Sequence, residues 1–336
     1  MIELDGSLGE GGGAILRTAL ALSTVTAQGF RLSKIRAGRP NPGLAAQHLT
    51  CIQTYLDMCG SVCEGNTLGS TSITYYPRAL RKHRLSIDIG TAGSITLLCQ
   101  AILPALLSSA RNSRIEIIGG TDVKWSPQSD YFSNVVCPML KAYGDVTYTI
   151  QRRGYYPKGG GNATMTIKPT PARPTRLLRR GAILAIRGIA HSNSNETSER
   201  MAAIARLHLR QHGAPVLIDA TTASASCPGG GITVWAICEG EDGQVILGSD
   251  ALLEGRAEAC AEEAVRKLGE ELNSGACVDR HLADMLIPLL CLHGGAMTCS
   301  AISSHTTTNI TIATAFTSAT PTIEGNTITY APRTDK

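Results

Sequence analysis

Apolar and polar positions follow two periods along this chain, and the order of the periods repeats. A glycine turn leads into a helical apolar pattern, a short β-type run, a polar loop and a second helical pattern. The first unit gives helix Ala14–Ser23, strand Leu32–Ile35 and helix Leu44–Cys59. The second gives helix Ser94–Leu107, strand Arg114–Ile118 and helix Ser129–Tyr143. The third, which is truncated, gives helix His281–Leu292, strand Met297–Ile302, a loop and the apolar segment Ile310–Phe316.

The three units align when their β-type runs are superimposed. Gly38, Gly120 and His305 then take the same position in the loop after the strand. Chance similarity of β-loop-α segments is the alternative for any one pair, and a third matching unit speaks against it. The pattern therefore predicts a mixed α+β fold with three repeated units.

The spacing between units also predicts an insertion. The third unit follows the second at a distance about 100 residues longer than the second follows the first. After the linker-like Pro171-Ala-Arg-Pro, strand Ala182–Ile189 and helix Glu196–Gln211 precede three strands and a charged helix. This βαβββα order is typical of a small α/β sandwich. We predict a large domain over 1–178 and 277–336 and an inserted smaller domain over 179–276.

Composition narrows the class of protein. Apolar residues make up 43% of the chain and charged residues 17%, which is typical of a globular protein. The net charge of +4 fits an anionic ligand or a nucleic-acid end better than a protein that coats long duplexes. The eleven scattered cysteines form no pair of CxxC motifs, so free thiols in a reducing cytoplasm are the simplest interpretation. The apolar run 95–107 is interrupted and too short to span a bilayer, and no membrane association is expected.

The glycine turn before the first helix is a candidate anion site. Three glycines at 11–13 open the helix, so backbone N–H groups can face a phosphate. Glu10 beside them would repel a phosphate unless a divalent metal lies between. Arg17, two helical turns or less further on, can reach the same cleft. A tight turn with a solvated Glu10 and Arg17 is the alternative.

Two further segments supply cations and amides. Arg36 and Arg39 lie on a Gly/Pro-stiffened loop and can grip a phosphate dianion, although surface arginines would give the same pattern. Gln47 and His48 open the following helix, where His48 is more typical of a packed residue than of a catalyst. Gln100 interrupts an apolar helix, so its amide needs a partner, either structural or a bound nucleotide.

Histidines complete the candidate chemistry. His305 stands among hydroxyl and amide side chains, in a sequence that predicts a polar turn. A nucleophilic imidazole would point to phosphoryl or nucleotidyl transfer, whereas most histidines in such turns are solvated or capping. His281 and Asp284 are three apart and share one helix face, where they could hold a ribose or base or simply cap the helix.

These motifs together resemble the RNA 3′-terminal phosphate cyclases. The resemblance covers nearly the whole chain and rests on the segments that begin at Asp5, Ile35, Gly119, Gly154, His281 and Ser304. It implies a large domain of three repeats, each a four-stranded sheet with two helices, like the C-terminal domain of translation initiation factor three. It also implies that the insert is a smaller thioredoxin-like α/β domain.

The resemblance further implies a reaction. His305 would attack the α-phosphorus of ATP and become adenylylated, AMP would pass to an RNA 3′-terminal phosphate, and the vicinal 2′-OH would close a 2′,3′-cyclic phosphate. A phosphate dianion resists nucleophilic attack, and adenylylation supplies a leaving group. The partners implied are ATP, Mg²⁺ or Mn²⁺, and an RNA with a 3′-terminal phosphate, in the cytoplasm. The oligomeric state is left open.

The resemblance assigns roles residue by residue. Glu10 corresponds to a metal or phosphate-end group, and the phosphate ligands are Arg17, Arg36, Arg39 and Gln47. The ATP-binding positions are Gln100, Pro127, His281, Leu282, Ala283, Asp284 and Met285. The chain departs from the family at Met285, where related sequences commonly carry glutamine, and a thioether cannot replace the amide hydrogen bonds.

Two alternatives from other classes remain. One is a non-catalytic, cyclase-like RNA-binding protein in ribosomal RNA processing, a branch that lacks the histidine. The presence of His305, Glu10 and the three arginines argues for an enzyme. The other is an enolpyruvyl transferase, which uses a comparable repeated unit but no covalent nucleotide.

Overall fold

The first unit is a sheet with two helices. The computed structural model describes residues 1–332. In chain order the unit contains β1 (Ile2–Asp5), α1 (Ala14–Thr26), β2 (Phe30–Ser33), α2 (Ala46–Cys59), β3 (Val62–Glu64) and β4 (Ile73–Tyr76). The sheet order is β1-β2-β4-β3, with β1 parallel to β2 and the other neighbours antiparallel.

The second unit repeats this plan. It contains β5 (Arg84–Asp88), α3 (Ile95–Leu107), β6 (Ser113–Gly119), a second helical segment, β7 (Gly144–Arg152) and β8 (Gly161–Pro169). The helical segment consists of α4 (Ser129–Tyr131), a π-helical stretch (Phe132–Val136) and α5 (Cys137–Met139). The sheet order β5-β6-β8-β7 matches that of the first unit strand for strand.

The third unit is interrupted after its first strand, β9 (Thr175–Leu177). A fourth unit follows, with β10 (Arg180–Ser192), α6 (Asn195–Leu209), a 3₁₀ turn (Arg210–His212), β11 (Val216–Thr222), β12 (Gly230–Gly240), β13 (Gly243–Leu252) and α7 (Ala257–Asn273). Its sheet has the order β11-β10-β12-β13, and only β10 and β11 are parallel. The element order βαβββα is the one predicted from the sequence.

The third unit then resumes with α8 (Arg280–His293), β14 (Gly295–Thr298), α9 (Ser304–Thr317), β15 (Thr322–Glu324) and β16 (Thr327–Tyr330). Its sheet order, β9-β14-β16-β15, is again that of the first two units. The prediction of three repeated units is therefore confirmed. The third unit is complete rather than truncated, because β9 lies before the fourth unit in sequence and pairs with β14 across it.

Local sequence explains the elements that carry this plan. In β6 the buried Ser113, Ile115 and Ile117 alternate with the exposed Arg114 and Glu116, which is the period of a strand with one face on the core. The run Ile95–Leu107 is apolar nearly all round and forms the almost wholly buried α3. Several predicted boundaries were wrong. For example, the strand expected to reach residue 302 ends at residue 298, and the helix expected to reach residue 143 ends at residue 139.

Packing brings the helices of different units together. Helix α1 packs against α3 and α9, and α8 packs against α9 and α3. One continuous cluster of buried apolar side chains draws on all four units. The division into a large domain and an inserted, thioredoxin-like domain stays a prediction. None of the helices within residues 1–332 has the length and apolar character needed to cross a membrane.

Candidate active site

The N-terminal ends of α1 and α9 lie side by side. Gly9, in the turn before α1, has φ +57° and packs so closely on α9 that a Cβ there would collide with Thr308 Oγ1. One turn deeper, Thr18 Oγ1 donates a buried 2.8 Å hydrogen bond to Asn309 Oδ1. The glycine turn and the segment around His305 are thus neighbours, although almost 300 residues separate them in sequence.

His305 lies in the first turn of α9, not in the loop that the sequence pattern predicted. Ser303 is the N-cap residue, and its Oγ accepts a 2.9 Å hydrogen bond from Thr306 N. Ser303 N donates in return to Thr306 Oγ1 at 3.2 Å. This reciprocal cap starts the helix before His305. The loop positions proposed for Gly38, Gly120 and His305 are therefore not equivalent, because Gly120 directly follows β6 and His305 is helical.

Asp284 on α8 fixes this helix end. Its Oδ1 accepts hydrogen bonds from Ser303 Oγ at 2.8 Å and from Thr306 Oγ1 at 2.5 Å. Asn309 Nδ2 donates to the Asp284 carbonyl oxygen at 2.9 Å. Burial raises the pKa of Asp284, opposed by these two hydroxyl donors. The carboxyl group therefore holds α9 in place, a link that no sequence pattern indicated.

Glu10 is the meeting point of the polar side chains. Its Oε1 accepts a 2.8 Å hydrogen bond from Ser304 Oγ, and its Oε2 lies 3.5 Å from both His305 Nε2 and Arg39 Nη2. The Ser304 hydrogen bond, followed by the charges of His305 and Arg39, lowers the pKa of Glu10. The side chains of His305, Glu10 and Arg39 are 43%, 49% and 41% exposed. The imidazole is therefore held in reach of solvent and of a ligand.

Arg17 is a half-buried cation beside this cluster. Within residues 1–332 its guanidinium makes no ion pair and no hydrogen bond, and burial lowers its pKa. A Cβ at Gly13 would collide with His48 Nε2 and lie 2.9 Å from Arg17 Nη1, so only glycine fits there. His48 Nδ1 accepts a 3.0 Å hydrogen bond from Ala45 N. Burial first, then the charges of Arg17 and Arg36, lower the pKa of His48 to about 4 and keep this ring neutral.

A small cavity of about 20 Å³ joins Arg17 to three of the other predicted residues. Its wall includes Gln100, Asp284 and Met285. Arg36 is close enough for its charge to lower the pKa of His48, and its Nη1 donates to the Gly43 carbonyl oxygen at 3.0 Å. The structure thus gathers most of the predicted side chains around the N-terminal ends of α1, α2 and α9.

The remaining predicted residues lie around this group. Leu282 and Ala283 are fully buried in α8. His281 is exposed at the start of α8, with its ring 6.4 Å from that of Tyr131 in an edge-to-face arrangement. The Pro127 carbonyl oxygen accepts a 2.7 Å hydrogen bond from Thr96 Oγ1. Gln47 faces a second, larger cleft.

Several residues that position the site were not singled out from the sequence. They share short hydroxyl or amide side chains: Thr18, Ser303, Ser304, Thr306, Thr308 and Asn309. One signal was present, since a serine just before an apolar run is a common N-cap residue. No group of three or more His, Cys, Asp or Glu within residues 1–332 is arranged to hold a metal by itself.

The chain also matches a known protein family over most of its length. The family model described as RNA 3′-terminal phosphate cyclase matches residues 8–323. A protein of that name from Methanosarcina barkeri is 42% identical and covers 94% of each chain. Another from Archaeoglobus fulgidus is 39% identical over 98% of this chain and 99% of its own. A third, from Hyperthermus butylicus, is 40% identical over 93% and 90%.

A solved structure is also similar in part. The enolpyruvyl transferase NikO from Streptomyces tendae aligns with a TM-score of 0.28 and 16% identity, over 51% of this chain and 33% of its own. That similarity is too low to bear on fold or function. The family model and the three relatives are decisive, since each spans more than nine tenths of the chain. The chain belongs to the RNA 3′-terminal phosphate cyclase family.

Proposed function

We propose that this chain converts the 3′-terminal phosphate of an RNA into a 2′,3′-cyclic phosphodiester at the expense of ATP, through a covalent histidine–AMP. Family membership supports the overall reaction. The observation that carries the covalent route is the position of His305 Nε2, half-exposed and 3.5 Å from Glu10 Oε2, with Arg39 at the same carboxylate. In this position the imidazole is open to a nucleotide and has a carboxylate and a guanidinium beside it.

The proposed reaction has three steps. The Nε2 lone pair of His305 bonds to the α-phosphorus of ATP, the bond from that phosphorus to the bridging oxygen breaks, and pyrophosphate leaves. An oxygen of the RNA 3′-phosphate then attacks the same phosphorus, the P–N bond breaks, and RNA-(3′)pp(5′)A forms. Finally the ribose 2′-OH loses its proton and attacks the 3′-phosphorus, and AMP leaves.

The site offers positive partners for each of these phosphates. The helix α9 directs its free N-terminal N–H groups toward the surface beside His305, and α1 does the same after its glycine turn. Arg17 has no acidic partner within the described chain, and a half-buried unpaired cation is costly unless an anion joins it. We assign Arg17, Arg36 and Arg39 to the phosphates of RNA and ATP, with Gln47 at the edge of the group.

ATP is assigned to the side of the site formed by α3 and α8. Gln100 and Asp284 line the cavity beside Arg17, and the exposed ring of His281 lies where α8 begins. Pro127 and the segment 281–285 complete the proposed nucleotide contacts. Met285 presents a thioether to the same cavity, so the chain lacks an amide hydrogen bond at that point.

A divalent cation fits beside Glu10 only if the substrate supplies most of its ligands. Glu10 is the single carboxylate at the surface of this cluster, and Mg²⁺ commonly binds through one or two carboxylates together with substrate phosphates. Bound there, Mg²⁺ or Mn²⁺ would neutralise phosphate charge near His305. Removal of the cation with a chelator would then abolish labelling by ATP without unfolding the protein.

The decisive experiment uses ATP labelled at the α-phosphate, with Mg²⁺ and without RNA. We expect acid-labile label on the protein, and none on the His305→Ala variant. His208→Ala, which removes an exposed histidine of α6, is the matched control and should label normally. An RNA oligomer ending in a 3′-phosphate should then discharge the label and become resistant to phosphatase.

Two other results would replace this proposal. Tight RNA binding without any label would favour a non-catalytic RNA-binding protein. Consumption of phosphoenolpyruvate would favour an enolpyruvyl transferase.

The proposed cytoplasmic location draws support from the cysteines, which are all free thiols and, apart from Cys63, buried.

A further inference from the structure

A second cleft, of about 680 Å³, lies between the second and fourth units. Leu97 of α3 and the loop residues 122–125 form one wall, and residues 228–230 and 252–254 of the fourth unit form the other. The loop carrying Tyr155 and Tyr156 closes one side. Preformed ligand sites are commonly 300–1,000 Å³ in volume, so the cleft has room for one or two nucleotides.

Two aromatic side chains stand exposed at this cleft. Trp125 is 93% exposed and Tyr156 is 75% exposed, while the chain's other tryptophan, Trp235, is only 6% exposed. Aromatic residues make up 4% of the sequence, so this pair is conspicuous. Large aromatic side chains left in solvent beside a cleft are typical of a binding surface.

The backbone at Trp125 is a second, independent observation. Its φ is +61°, a left-handed conformation that a bulky residue rarely adopts. Backbone strain of this kind is concentrated at functional sites. Lys124 next to it forms a 2.8 Å ion pair with Glu254 of the fourth unit, which fixes the loop across the cleft mouth.

The cleft begins where the proposed phosphate site ends. Gln47 lies in its wall and is the neighbour in α2 of His48, the ring that packs on Gly13 and feels the charges of Arg17 and Arg36. A methyl group on Gly93 would lie 3.7 Å from Gln47 Cβ, so α2 and the entry of α3 touch at this point. A chain whose terminal phosphate lies at the arginines can therefore continue past Gln47 into the cleft.

The back of the cleft is rigid. Tyr155 stacks on His191 of β10 with ring centroids 5.9 Å apart, and its hydroxyl lies 2.9 Å from His191 Nδ1. Gly229 packs directly on the Tyr155 ring, where any Cβ would collide. Asp122 in the wall is paired with Arg153 at 3.1 Å, which reduces its repulsion of a polyanion. The site is preformed, which limits the entropy lost on binding.

We propose that this cleft binds the nucleotides that precede the RNA 3′ end, with one base stacked on Trp125 and another against Tyr156. The assignment rests on the proposed function, because it takes the RNA phosphate to lie at Arg17, Arg36 and Arg39. Stacking on exposed aromatic rings is how proteins hold single-stranded RNA without strong sequence preference. The ligand class is thus a single-stranded RNA end, not a duplex.

The test exploits the tryptophan emission. An oligoribonucleotide with a 3′-phosphate, added without ATP, should quench the exposed Trp125, whereas Trp235 is shielded. Trp125→Phe keeps a stacking surface and should lose the quench but bind RNA nearly as well as the parent protein. Trp125→Ala should bind RNA roughly tenfold more weakly, which corresponds to about 1.4 kcal/mol. Tyr156→Ala should weaken RNA binding in the same direction.

The matched control is Leu207→Ala, which removes an exposed apolar side chain on α6 outside the cleft and should leave RNA binding unchanged. Quenching by ATP alone, with none by RNA, would overturn the assignment in favour of a nucleotide site. Unchanged RNA affinity in both Trp125→Ala and Tyr156→Ala would also overturn it.

The result separates this inference from the proposed function. A protein that labels itself and cyclises RNA, yet shows no response of Trp125 to RNA, refutes the cleft alone. A protein that binds RNA at Trp125 but forms no label refutes the covalent mechanism alone.

Discussion

Two clusters in this molecule each combine a histidine, an arginine and carboxylate side chains, and they differ in burial. The site cluster consists of His305, Glu10 and Arg39, with side chains 41–49% exposed. The buried cluster, behind the second cleft, consists of His191, Asp122, Asp130 and Arg153, with side chains no more than 12% exposed. Histidine to carboxylate distances are 3.5 Å in the first and 3.7–3.8 Å in the second. Geometry alone would not tell these clusters apart.

The difference lies in how completely each group is satisfied. Arg153 donates to Asp122 at 3.1 Å and to Asp130 at 2.6 Å, so one cation is shared by two buried carboxyl groups. The His191 ring accepts from the Tyr155 hydroxyl at 2.9 Å and donates to Gln128 Oε1 at 3.1 Å. Nothing is left for a ligand to bind. In the site cluster the contacts are long and open to water, and a phosphate can replace them.

The largest expected effect concerns Arg153. Arg153→Ala leaves two buried carboxylates without a cation and should lower the free energy of unfolding by about 3–5 kcal/mol. The same substitution at Arg39 removes an exposed contact and should change it by no more than about 0.5 kcal/mol. Urea denaturation measures both.

If Arg153→Ala does not fold, Arg153→Lys keeps the charge but cannot reach both carboxylates in the same way, and an intermediate loss is expected. Equal stability of the Arg153 and Arg39 variants would contradict the comparison.

The next effect is on activity at Arg17, which combines features of both clusters. Its guanidinium is desolvated by burial, as in the second cluster, but it has no ion pair or hydrogen bond within residues 1–332. Arg17→Met should lower kcat/KM for RNA cyclisation about 100-fold, or about 2.7 kcal/mol, because a phosphate ligand is lost. The free energy of unfolding should stay equal or rise, because a costly desolvated charge is removed.

Arg31→Met, at an exposed arginine of β2, is the control and should alter neither quantity. A destabilised Arg17→Met with unchanged kinetics would assign Arg17 a purely structural task.

Much of the fold could be predicted from the sequence because long apolar helices carry their own period. Helix α3 and the fourth unit's βαβββα order are examples. In the three repeated units the sequence pattern placed only β2, β6 and β14. Seven of the nine missed strands are three to five residues long, which is too short to show a period, while β7 and β8 were missed although they have nine residues each. Strand β9 also pairs with a strand that follows the whole fourth unit, and local patterns carry no information on such distant pairing.

The site residues with charge or an imidazole were visible, and their partners were not. Glu10 and His305 stand out as residue types, but their contact depends on the packing of α1 on α9. The buried cluster was invisible for the same reason. Arg153 looks like a surface residue in sequence, and only the packed sheet shows that it lies between Asp122 and Asp130.

A smaller effect distinguishes the clusters by pH. Burial, followed by the charge of Arg153, lowers the pKa of His191 to about 3. Below about pH 6.5 the His191 ring binds a proton in the unfolded chain but not in the folded protein. The free energy of unfolding therefore decreases by about 1.4 kcal/mol for each unit by which the pH is lowered, as far as this group is concerned. His191→Gln should remove that contribution to the slope between pH 6.5 and about 4. Titration of the free energy of unfolding against pH measures it.

Asp130 acts in the opposite sense, because burial raises its pKa to about 6 and its ionisation in the folded state costs stability as pH rises. For this reason the pH dependence of the free energy of unfolding is compared between the His191→Gln variant and the parent protein. His208→Gln, at an exposed position, controls for loss of an imidazole. An unchanged slope in His191→Gln would show that the ring is not held neutral.

The smallest effect belongs to Ser304, whose exposed hydroxyl donates to Glu10, whereas the corresponding donor in the buried cluster is the Thr121 hydroxyl, which donates to Asp122 at 2.7 Å. Its hydroxyl makes the largest contribution to the lowered pKa of Glu10, through an exposed 2.8 Å hydrogen bond. Ser304→Ala should therefore move the acidic limb of the pH dependence of self-labelling to higher pH, since Glu10 would then be protonated at a higher pH. The free energy of unfolding should change by no more than about 0.5 kcal/mol, because the bond is open to water.

Thr307→Ala, at the exposed neighbouring turn position, is the control and should leave the acidic limb of the pH dependence in place. If both variants move it equally, the effect comes from the helix end as a whole and not from the hydrogen bond to Glu10.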